Sequence, residues 1–470
     1  MHTQKSAATY LFEKELLFSY TKKMRLFPFF IAVFILCCHP VLAHAAGMIT
    51  IRDTEIENQI KMWATPVIQA AGLAPSAVKI VLVQSPDVNA FVSGGQNIYI
   101  YTGLIEKTET PDELLGVIAH ELGHIAGGHL ARAEEEMENT STEMILGAVL
   151  GAGVAVATGS PDAAAAITSG TATYAQRKIL SFSRTQESSA DQAALKFLKR
   201  AGVSGQGLVH FMQKLETEEQ SVSSIQSQYM RTHPLSRDRV DALKSALDRI
   251  GNGQDTPDHW VQGFKRVKAK LIGYTSPAQV EWIYAQQDQS IPARYARAIA
   301  AYRQNQVETA LSLADGLIAS EPKNPYFHEL KGQMLYDFGR VDAAAGSYAR
   351  ALMYMGERTA PLIQIAYAQA LGQQKSVTTA DRDEAISLLE NARIKEPRYA
   401  PLYRLLAILY GQSRQEGSAQ AMLAEEAAVQ GRRDEAKRLA ERALVLLSPS
   451  SPHGQQMKDL LTVLANKKKK

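Results

Sequence analysis

Residues 110–125 read TPDELLGVIAHELGHI, and this stretch predicts a helix that carries an HExxH motif. Thr110 suits the N-cap, Pro111 the first helical position and Glu113 the third, so the three residues form a capping box. Apolar side chains give the same helix a surface to bury: Leu114, Leu115, Val117, Ile118, Leu122 and Ile125. The motif is therefore predicted on a well-started, partly buried helix.

The HExxH motif places His120 and His124 one turn apart on the same face of that helix. Both rings can then bind one zinc ion at about 2.0–2.1 Å. Glu121 lies at the edge of this face, where its carboxylate can take a proton from a water that zinc acidifies and pass it to the leaving amine. We predict a zinc site with these two ligands and Glu121 as the base. The alternative is two ordinary histidines that share a face by chance.

Zinc proteases differ in where the third protein ligand lies. In the metzincin pattern, HExxHxxGxxH, Gly127 takes the glycine position, but Leu130 stands where the third histidine belongs. His129 comes one residue early and, on a continuous helix, would point about 140° away from His124. We therefore assign His129 to packing or to contacts behind the ligands, and not to the metal.

A second acidic motif, ESSAD at 187–191, lies on a helix predicted over 185–200. Glu187 is the candidate third ligand, and Asp191 is the carboxylate that orients a ligand histidine. Acidic pairs at this spacing usually form a solvated face, but an upstream HExxH makes the pair specific. The two motifs together predict a glutamate-ligated, gluzincin-like site.

With these motifs the chain resembles the M48 peptidases, and within them the periplasmic members that carry a C-terminal tetratricopeptide array. Further matching segments are IRDTEIE at 51–57, NAFVSGG at 89–95, IYIYTGL at 98–104 and THP at 232–234. The resemblance covers residues 48–245 closely and the rest by architecture. It implies one zinc ion per chain, bound by His120, His124 and Glu187, with Glu121 catalytic.

The resemblance also singles out His233 and Arg239. In such proteins a His-Pro turn lies near the metal, so His233 could stabilise the oxyanion or occupy the open zinc position in a latent form. The plainer alternative is a loop histidine stiffened by Pro234. Arg239 could aid the transition state or simply pair with a carboxylate.

Short strands are predicted upstream of the motif helix, at 78–82, 90–92 and 98–101, with turns at 85–87 and 94–95. A sheet edge beside an HExxH helix can bind an extended peptide by strand addition. An internal hairpin with a covered edge is the alternative.

The N-terminus has the pattern of a secretory signal. Residues 22–25 are basic apart from Met24, residues 26–38 are apolar, and Ala-His-Ala at 43–45 suits cleavage. We predict a signal peptide over 1–45, with Met24 as an alternative start, and a periplasmic mature chain.

Composition bounds the remaining function classes. With 470 residues, two or three domains are expected. Both cysteines, Cys37 and Cys38, fall inside the signal, which leaves neither a disulfide nor a thiol nucleophile in the mature chain. Residues 1–45 hold five of the 51 basic and two of the 48 acidic side chains, so the remainder is near neutral. This argues against nucleic acid as a partner.

Residues 144–174 consist almost wholly of small and apolar side chains. The continuous apolar run, 145–157, is shorter than the about 20 residues that a membrane span needs. We predict two helices over the active site, acting as a lid or as a hairpin in peripheral contact with a membrane. Core packing is the alternative.

Alanine-rich helices follow a linker at 251–257. A pattern of small and apolar residues recurs there with a period near the about 34 residues of tetratricopeptide repeats. Its members are Ala310, Ala314, Leu317 and Pro322; Ala344, Tyr348 and Ala351; Ala385, Leu389, Ala392 and Pro397; and Gly431, Ala436, Ala440 and Ala443. Stacked helix pairs of this kind bind protein segments, and a plain alanine-rich bundle is the alternative.

The predicted fold class is α+β: a mostly helical zincin protease with a small sheet over 46–250, then a connecting segment over 251–290. An all-α solenoid over 291–466 and a basic tail at 467–470 complete the chain. We predict a periplasmic zinc endopeptidase with chaperone-like activity. Its expected partners, implied by the resemblance, are misassembled outer-membrane β-barrels and the barrel assembly machinery. The alternatives are a chaperone with a latent zinc site and a membrane-associated protease.

Overall fold

Four short strands form one sheet in the first half of the chain. The computed structural model describes residues 48–158, 161–220, 228–356 and 360–466. The strands are β1 (Thr50–Ile51), β2 (Lys79–Val83), β3 (Ala90–Ser93) and β4 (Asn97–Tyr101), in the order β1-β2-β4-β3. β2 runs parallel to β4, and β3 runs antiparallel to it. The three predicted strands are confirmed, and β3 is an edge strand.

The described part of the first half also contains eight helices. They are α1 (Thr54–Ala70), α2 (Thr102–Lys107), α3 (Pro111–Ala126), α4 (His129–Thr158), α5 (Pro161–Arg200), α6 (Gln206–Gln220), α7 (Gln228–Thr232) and α8 (Arg237–Ile250). The helix α3 begins as predicted, because the Thr110 side chain accepts a hydrogen bond from the backbone N–H of Glu113. Its apolar residues, Leu114 to Leu122, are buried.

The helix predicted over 185–200 is longer than expected, because α5 already begins at Pro161. The region 144–174 does hold parts of two helices, α4 and α5, which pack against each other. On α4, Ile145 and Leu146 are 65% and 57% exposed. Within the described ranges, no helix is both long and apolar enough to span a membrane.

The second half is entirely helical where it is described. After α9 (Asp258–Thr275) and the short α10 (Val280–Ile283), ten helices follow in pairs. They are α11 (Ile291–Arg303), α12 (Val307–Ser320), α13 (Pro325–Asp337), α14 (Val341–Met355), α15 (Pro361–Leu371), α16 (Thr379–Lys395), α17 (Ala400–Gln412), α18 (Glu416–Val429), α19 (Arg433–Leu446) and α20 (Pro452–Asn466). The alanines and leucines at the predicted repeat positions, Ala310, Ala344, Ala385 and Ala436 among them, are fully buried, whereas Pro322, Pro397 and Gly431 are exposed in the turns. The fold class is confirmed.

The connecting helix α9 and the first repeat helix, α11, contact the first half of the chain at the start of α1. Lys270 of α9 is buried and pairs with Asp53 at 2.7 Å and with Glu55 at 3.5 Å. The hydroxyl of Tyr295 in α11 donates a hydrogen bond to Glu55 at 2.8 Å. The predicted signal peptide and the basic tail lie outside the described residues.

Candidate metal centre

Two helices and one bend bring the predicted site residues together. α3 supplies His120, Glu121 and His124, α5 supplies Glu187, and His233 follows α7. His120 and Glu121 are 0% and 1% exposed, Glu187 3% and His233 6%. Ligand atoms of the three histidines and Glu187 all lie within 4.8 Å of one another.

Five of the six spacings among these ligand groups are close to those around one tetrahedral ion. Nε2 of His120 lies 3.1 Å from Nε2 of His124 and 3.3 Å from Oε2 of Glu187. Nδ1 of His233 lies 3.3 Å from Nε2 of His120 and 3.1 Å from Oε1 of Glu187. Zinc bonds of about 2.0–2.1 Å in a tetrahedron separate the ligand atoms by about 3.3–3.4 Å. Three imidazoles and a carboxylate are also ligands that zinc prefers.

The buried side chains around the site carry an excess of negative charge. Three buried carboxylates, on Glu121, Glu187 and Asp191, face one buried guanidinium, that of Arg239. Two negative charges are left over, and an unbalanced charge is costly in the interior of a protein. A divalent cation among the ligand atoms would balance them. The residues present therefore fit zinc in both geometry and charge.

Asp191 orients His120 by contacting Nδ1, the ring nitrogen that faces away from the other ligand atoms. Its Oδ1 lies 2.9 Å from Nδ1 of His120, so Nδ1 carries the proton and Nε2 presents its lone pair to the other ligands. Arg239 in turn holds Asp191 through two hydrogen bonds, of 2.8 Å from Nε and 3.0 Å from Nη2. The same guanidinium lies 3.0 Å from Glu187 and donates to the carbonyl of Pro234. Of the two roles considered for Arg239, the contacts match carboxylate pairing.

The carboxylates shift the pKa of the buried histidine. Burial alone lowers the pKa of His120, but hydrogen bonds to Asp191 and Glu187 outweigh burial and raise it to about 10. Burial raises the pKa of Glu187, and the three histidines outweigh burial and bring it well below its usual range. Without a metal, the cluster thus draws positive charge to itself by protonating a ligand.

His129 lies closer to the site than a continuous helix would allow. α3 ends at Ala126, and Gly128 has a φ of 61°, which is in the left-handed region that glycine favours. The chain turns there, and Nδ1 of His129 comes 3.0 Å from Nδ1 of His124. Burial, His124 and Arg132 lower the pKa of His129 to about 4, so its ring is neutral at neutral pH. Its Nδ1 can therefore accept a hydrogen bond from Nδ1–H of His124, which leaves the lone pair of His124 Nε2 for a metal.

His233 is held on three sides. Its Nε2 lies 3.3 Å from the carbonyl oxygen of Ala90 in β3 and 3.4 Å from Oε1 of Glu121. The ring of Tyr229 packs against it with centroids 4.7 Å apart. Sequence reasoning missed Tyr229 and Ala90. Tyr229 had one available signal, because it stands four residues before His233 and so shares its face of a helical turn.

A groove of about 580 Å³ opens beside the ligands. Its walls include Glu121, His124 and His233 together with Phe91 and Val92 of β3. The carbonyl of Asn89, just before β3, accepts a hydrogen bond from the backbone N–H of Tyr101 in β4, while that of Ala90 faces His233 on the other side. Because backbone groups alternate in direction along a strand, those of Val92 also face the groove. An extended peptide could pair with β3 there.

Comparison with known proteins places the site inside a family domain. Residues 51–247 match the model of peptidase family M48, and residues 295–361 match a tetratricopeptide repeat. Residues 51–247 are an M48 peptidase domain. The predicted family is confirmed, and the domain is that of a metalloendopeptidase. It contains every site residue described above.

Curated relatives share both parts of the chain. A "Beta-barrel assembly-enhancing protease" of Yersinia pestis is 27% identical over 338 residues, which are 70% of this chain and 68% of the relative. The protein of the same name from Escherichia coli (strain K12) is 26% identical, over 68% of this chain and 66% of its own length. The "Metalloprotease YcaL" of that organism is 31% identical over 179 residues, 38% of this chain.

Proposed function

We propose that this M48 protein is a zinc endopeptidase of the periplasm that cleaves unfolded or misassembled envelope proteins, outer-membrane β-barrels among them. The observation that carries the proposal is the position of the four-ligand group at the floor of a groove with β3 at its edge. A β-barrel protein that has not folded exposes extended segments, and such segments can add to a sheet edge. The names of the Yersinia and Escherichia relatives support this choice of substrate.

In this proposal His120, His124 and Glu187 hold one zinc ion per chain. Zinc, when bound, supplies a Lewis acid that polarises the scissile carbonyl and acidifies water. Glu121 takes the proton of the attacking water and returns it to the leaving amine. Its Oε1 is buried and makes no hydrogen bond within the described ranges, and its 3.4 Å contact with Nε2 of His233 leaves it available for this proton transfer. Asp191 keeps the ring of His120 in the required tautomer.

We further propose that the described arrangement is a latent form, with His233 as the fourth ligand. Its Nδ1 is as close to Glu187 and His120 as the other ligand atoms are to each other. A substrate carbonyl would need the position that His233 occupies. Replacing His233 by Ala should then raise the rate of proteolysis. A lower rate would instead support an oxyanion-stabilising role for His233.

The repeat helices provide the second part of the proposed function. Stacked helix pairs create an extended concave surface that binds protein segments. We propose that this surface recruits clients or the barrel assembly machinery, and that it gives the protein a chaperone-like activity beside proteolysis.

The decisive experiment compares the chain without residues 1–45 with its Glu121→Gln variant. Zinc content would be measured by elemental analysis, and cleavage of an urea-unfolded β-barrel protein by gel electrophoresis. Wild type should bind one zinc and cleave, and a chelator should stop cleavage. Glu121→Gln should bind zinc equally and lose at least about a hundredfold in rate, while the exposed control Glu109→Gln should behave as wild type.

Two outcomes would contradict the enzymatic proposal. One is undiminished cleavage by Glu121→Gln, and the other is a folded chain that binds no zinc. The chaperone alternative makes a different prediction. If the repeats carry the function alone, Glu121→Gln should suppress aggregation of the same β-barrel protein as well as wild type does, and wild type should not cleave it.

A further inference from the structure

A second cavity, of about 290 Å³, lies between α5 and α8. None of the four candidate ligands lines it. Leu195 and Leu243 contribute an apolar floor, each 2% exposed, and Ala246 and Ile250 extend the apolar surface. Pockets that bind small molecules are mostly apolar, with few polar groups, and begin at about 300 Å³. The cavity is therefore of a size for a small, mainly apolar ligand.

The unpaired charged side chains that line the cavity are all positive. Lys196 and Arg249 line the cavity at its exposed mouth, and neither forms an ion pair with any residue that the structure describes. Lys199 stands nearby and donates a hydrogen bond to the carbonyl of Ile250. Asp191 is the only carboxylate in the lining, and the guanidinium of Arg239 neutralises it. An anionic ligand would meet two free cations and no free carboxylate.

We propose that this cavity binds a small anionic amphiphile, with its head group at Lys196 and Arg249 and its unbranched apolar chain on Leu195 and Leu243. The two halves of the lining match the two halves of such a molecule. A cationic or a purely polar ligand would satisfy only one of them. The small volume favours a chain of medium length over a two-chain lipid.

The test uses decanoate, below its critical micelle concentration, and isothermal titration calorimetry of the chain without residues 1–45. Wild type should show saturable binding of one decanoate. Lys196→Glu combined with Arg249→Glu should weaken binding tenfold or more, because the head group then meets like charges. Ala246→Trp should abolish binding by filling the apolar part. Arg237→Glu combined with Lys265→Glu makes the same charge change at exposed sites outside the lining and should bind as wild type.

Decyltrimethylammonium, with the same chain and the opposite charge, should not bind saturably to wild type. Equal binding of the two amphiphiles would overturn the proposal, as would undiminished binding by the Lys196 and Arg249 variant. Absence of saturable decanoate binding to wild type would also overturn it. Thermal melting of each variant checks folding. The charge variant keeps the test decisive if Ala246→Trp does not fold, because Lys196 and Arg249 are exposed.

Discussion

Arg239 shows how a residue outside the ligand set can decide the geometry of the centre. Its planar guanidinium bonds both oxygens of Asp191, lies beside Glu187 and ties the turn at Pro234 to both. A lysine has the same charge but lacks the fork that makes paired hydrogen bonds. A lysine at position 239 therefore tests whether the metal centre depends on the geometry of this side chain or only on its charge.

Arg239→Lys should lower the zinc affinity by about tenfold or more, because Asp191 and Glu187 lose the hydrogen bonds that orient them. Competition with a zinc-binding dye measures this affinity directly. Arg237→Lys, at an exposed position of the same helix, should leave it unchanged. Equal zinc affinities of the two variants would show that charge alone matters at Arg239.

Sequence patterns predicted some residues of the site better than others. His120, Glu121 and His124 were predictable because a helical spacing places them on one face, and Thr110 identified that helix. The assignment of His129 to contacts behind the ligands agrees with its 3.0 Å contact to His124, but the angle of about 140° used to argue it assumes an unbroken helix. Gly127 and Gly128 break it, and two consecutive glycines were the visible warning.

At the scale of elements, β3 is the part of the fold that can meet a substrate. Ala90 gives its carbonyl to His233, which leaves the groove-facing backbone of Val92 for a peptide. Val92→Pro removes the N–H that would pair with an added strand. Cleavage of an unfolded protein should fall about tenfold, as a rise in KM, because pairing contributes to binding.

Val92→Ala is the matched control, since it shortens the same side chain and keeps the N–H. It should cleave at close to the wild-type rate. If proline and alanine reduce cleavage equally, then the side chain of Val92, and not strand addition, recognises the substrate. Circular dichroism of both variants would exclude a loss of the sheet as the cause.

The lengths of the elements were harder to predict than their kinds. α5 extends unbroken from Pro161 to Arg200, whereas two separate helices were predicted there, one within 144–174 and one over 185–200. Residues 161–174 are mostly small and lack a polar face, so no amphipathic period indicates that the first of these helices continues into the second. The short strands were predictable because turn residues at 85–87 and 94–95 bound them.

For the molecule as a whole, a buried charged cluster joins the peptidase domain to the repeat helices. Lys270 of α9 meets Asp53 and Glu55 at the start of α1, and at the surface Arg52 pairs with Glu396, the residue that follows α16, at 2.6 Å. No local pattern in the sequence could predict these pairings, because the partners are separated by up to 344 positions. The sequence predicts each half of the chain, but not how they join.

Lys270→Met should destabilise the protein by about 3 kcal/mol, since it leaves Asp53 and Glu55 without their buried cation. Urea unfolding followed by tryptophan fluorescence measures the change. Lys265→Met, at an exposed position on the same helix, should change stability by less than about 0.5 kcal/mol. If Lys270→Met unfolds like the control, the cluster does not hold the two halves together.

Through Glu329 on α13, the stability of the same junction depends on pH. Burial raises the pKa of its carboxyl from 4.5 to about 7, although Lys270 partly offsets burial. An acid whose pKa is raised by folding binds its proton more tightly in the folded state. Its contribution to stability is therefore lost as pH rises from about 4.5 to about 7, and it stays constant above that.

Glu329→Gln replaces the carboxyl by a neutral group and should remove this dependence. Relative to wild type, the variant should become more stable as the pH rises from 5 to 8. The difference in unfolding free energy should change by up to about 3 kcal/mol. Urea unfolding of both proteins at the two pH values measures the difference. Glu308→Gln, at a side chain that is 79% exposed, should show the same small difference at both. A Glu329→Gln effect that did not change with pH would mean that Glu329 stays ionised in the folded protein, with Lys270 compensating its burial.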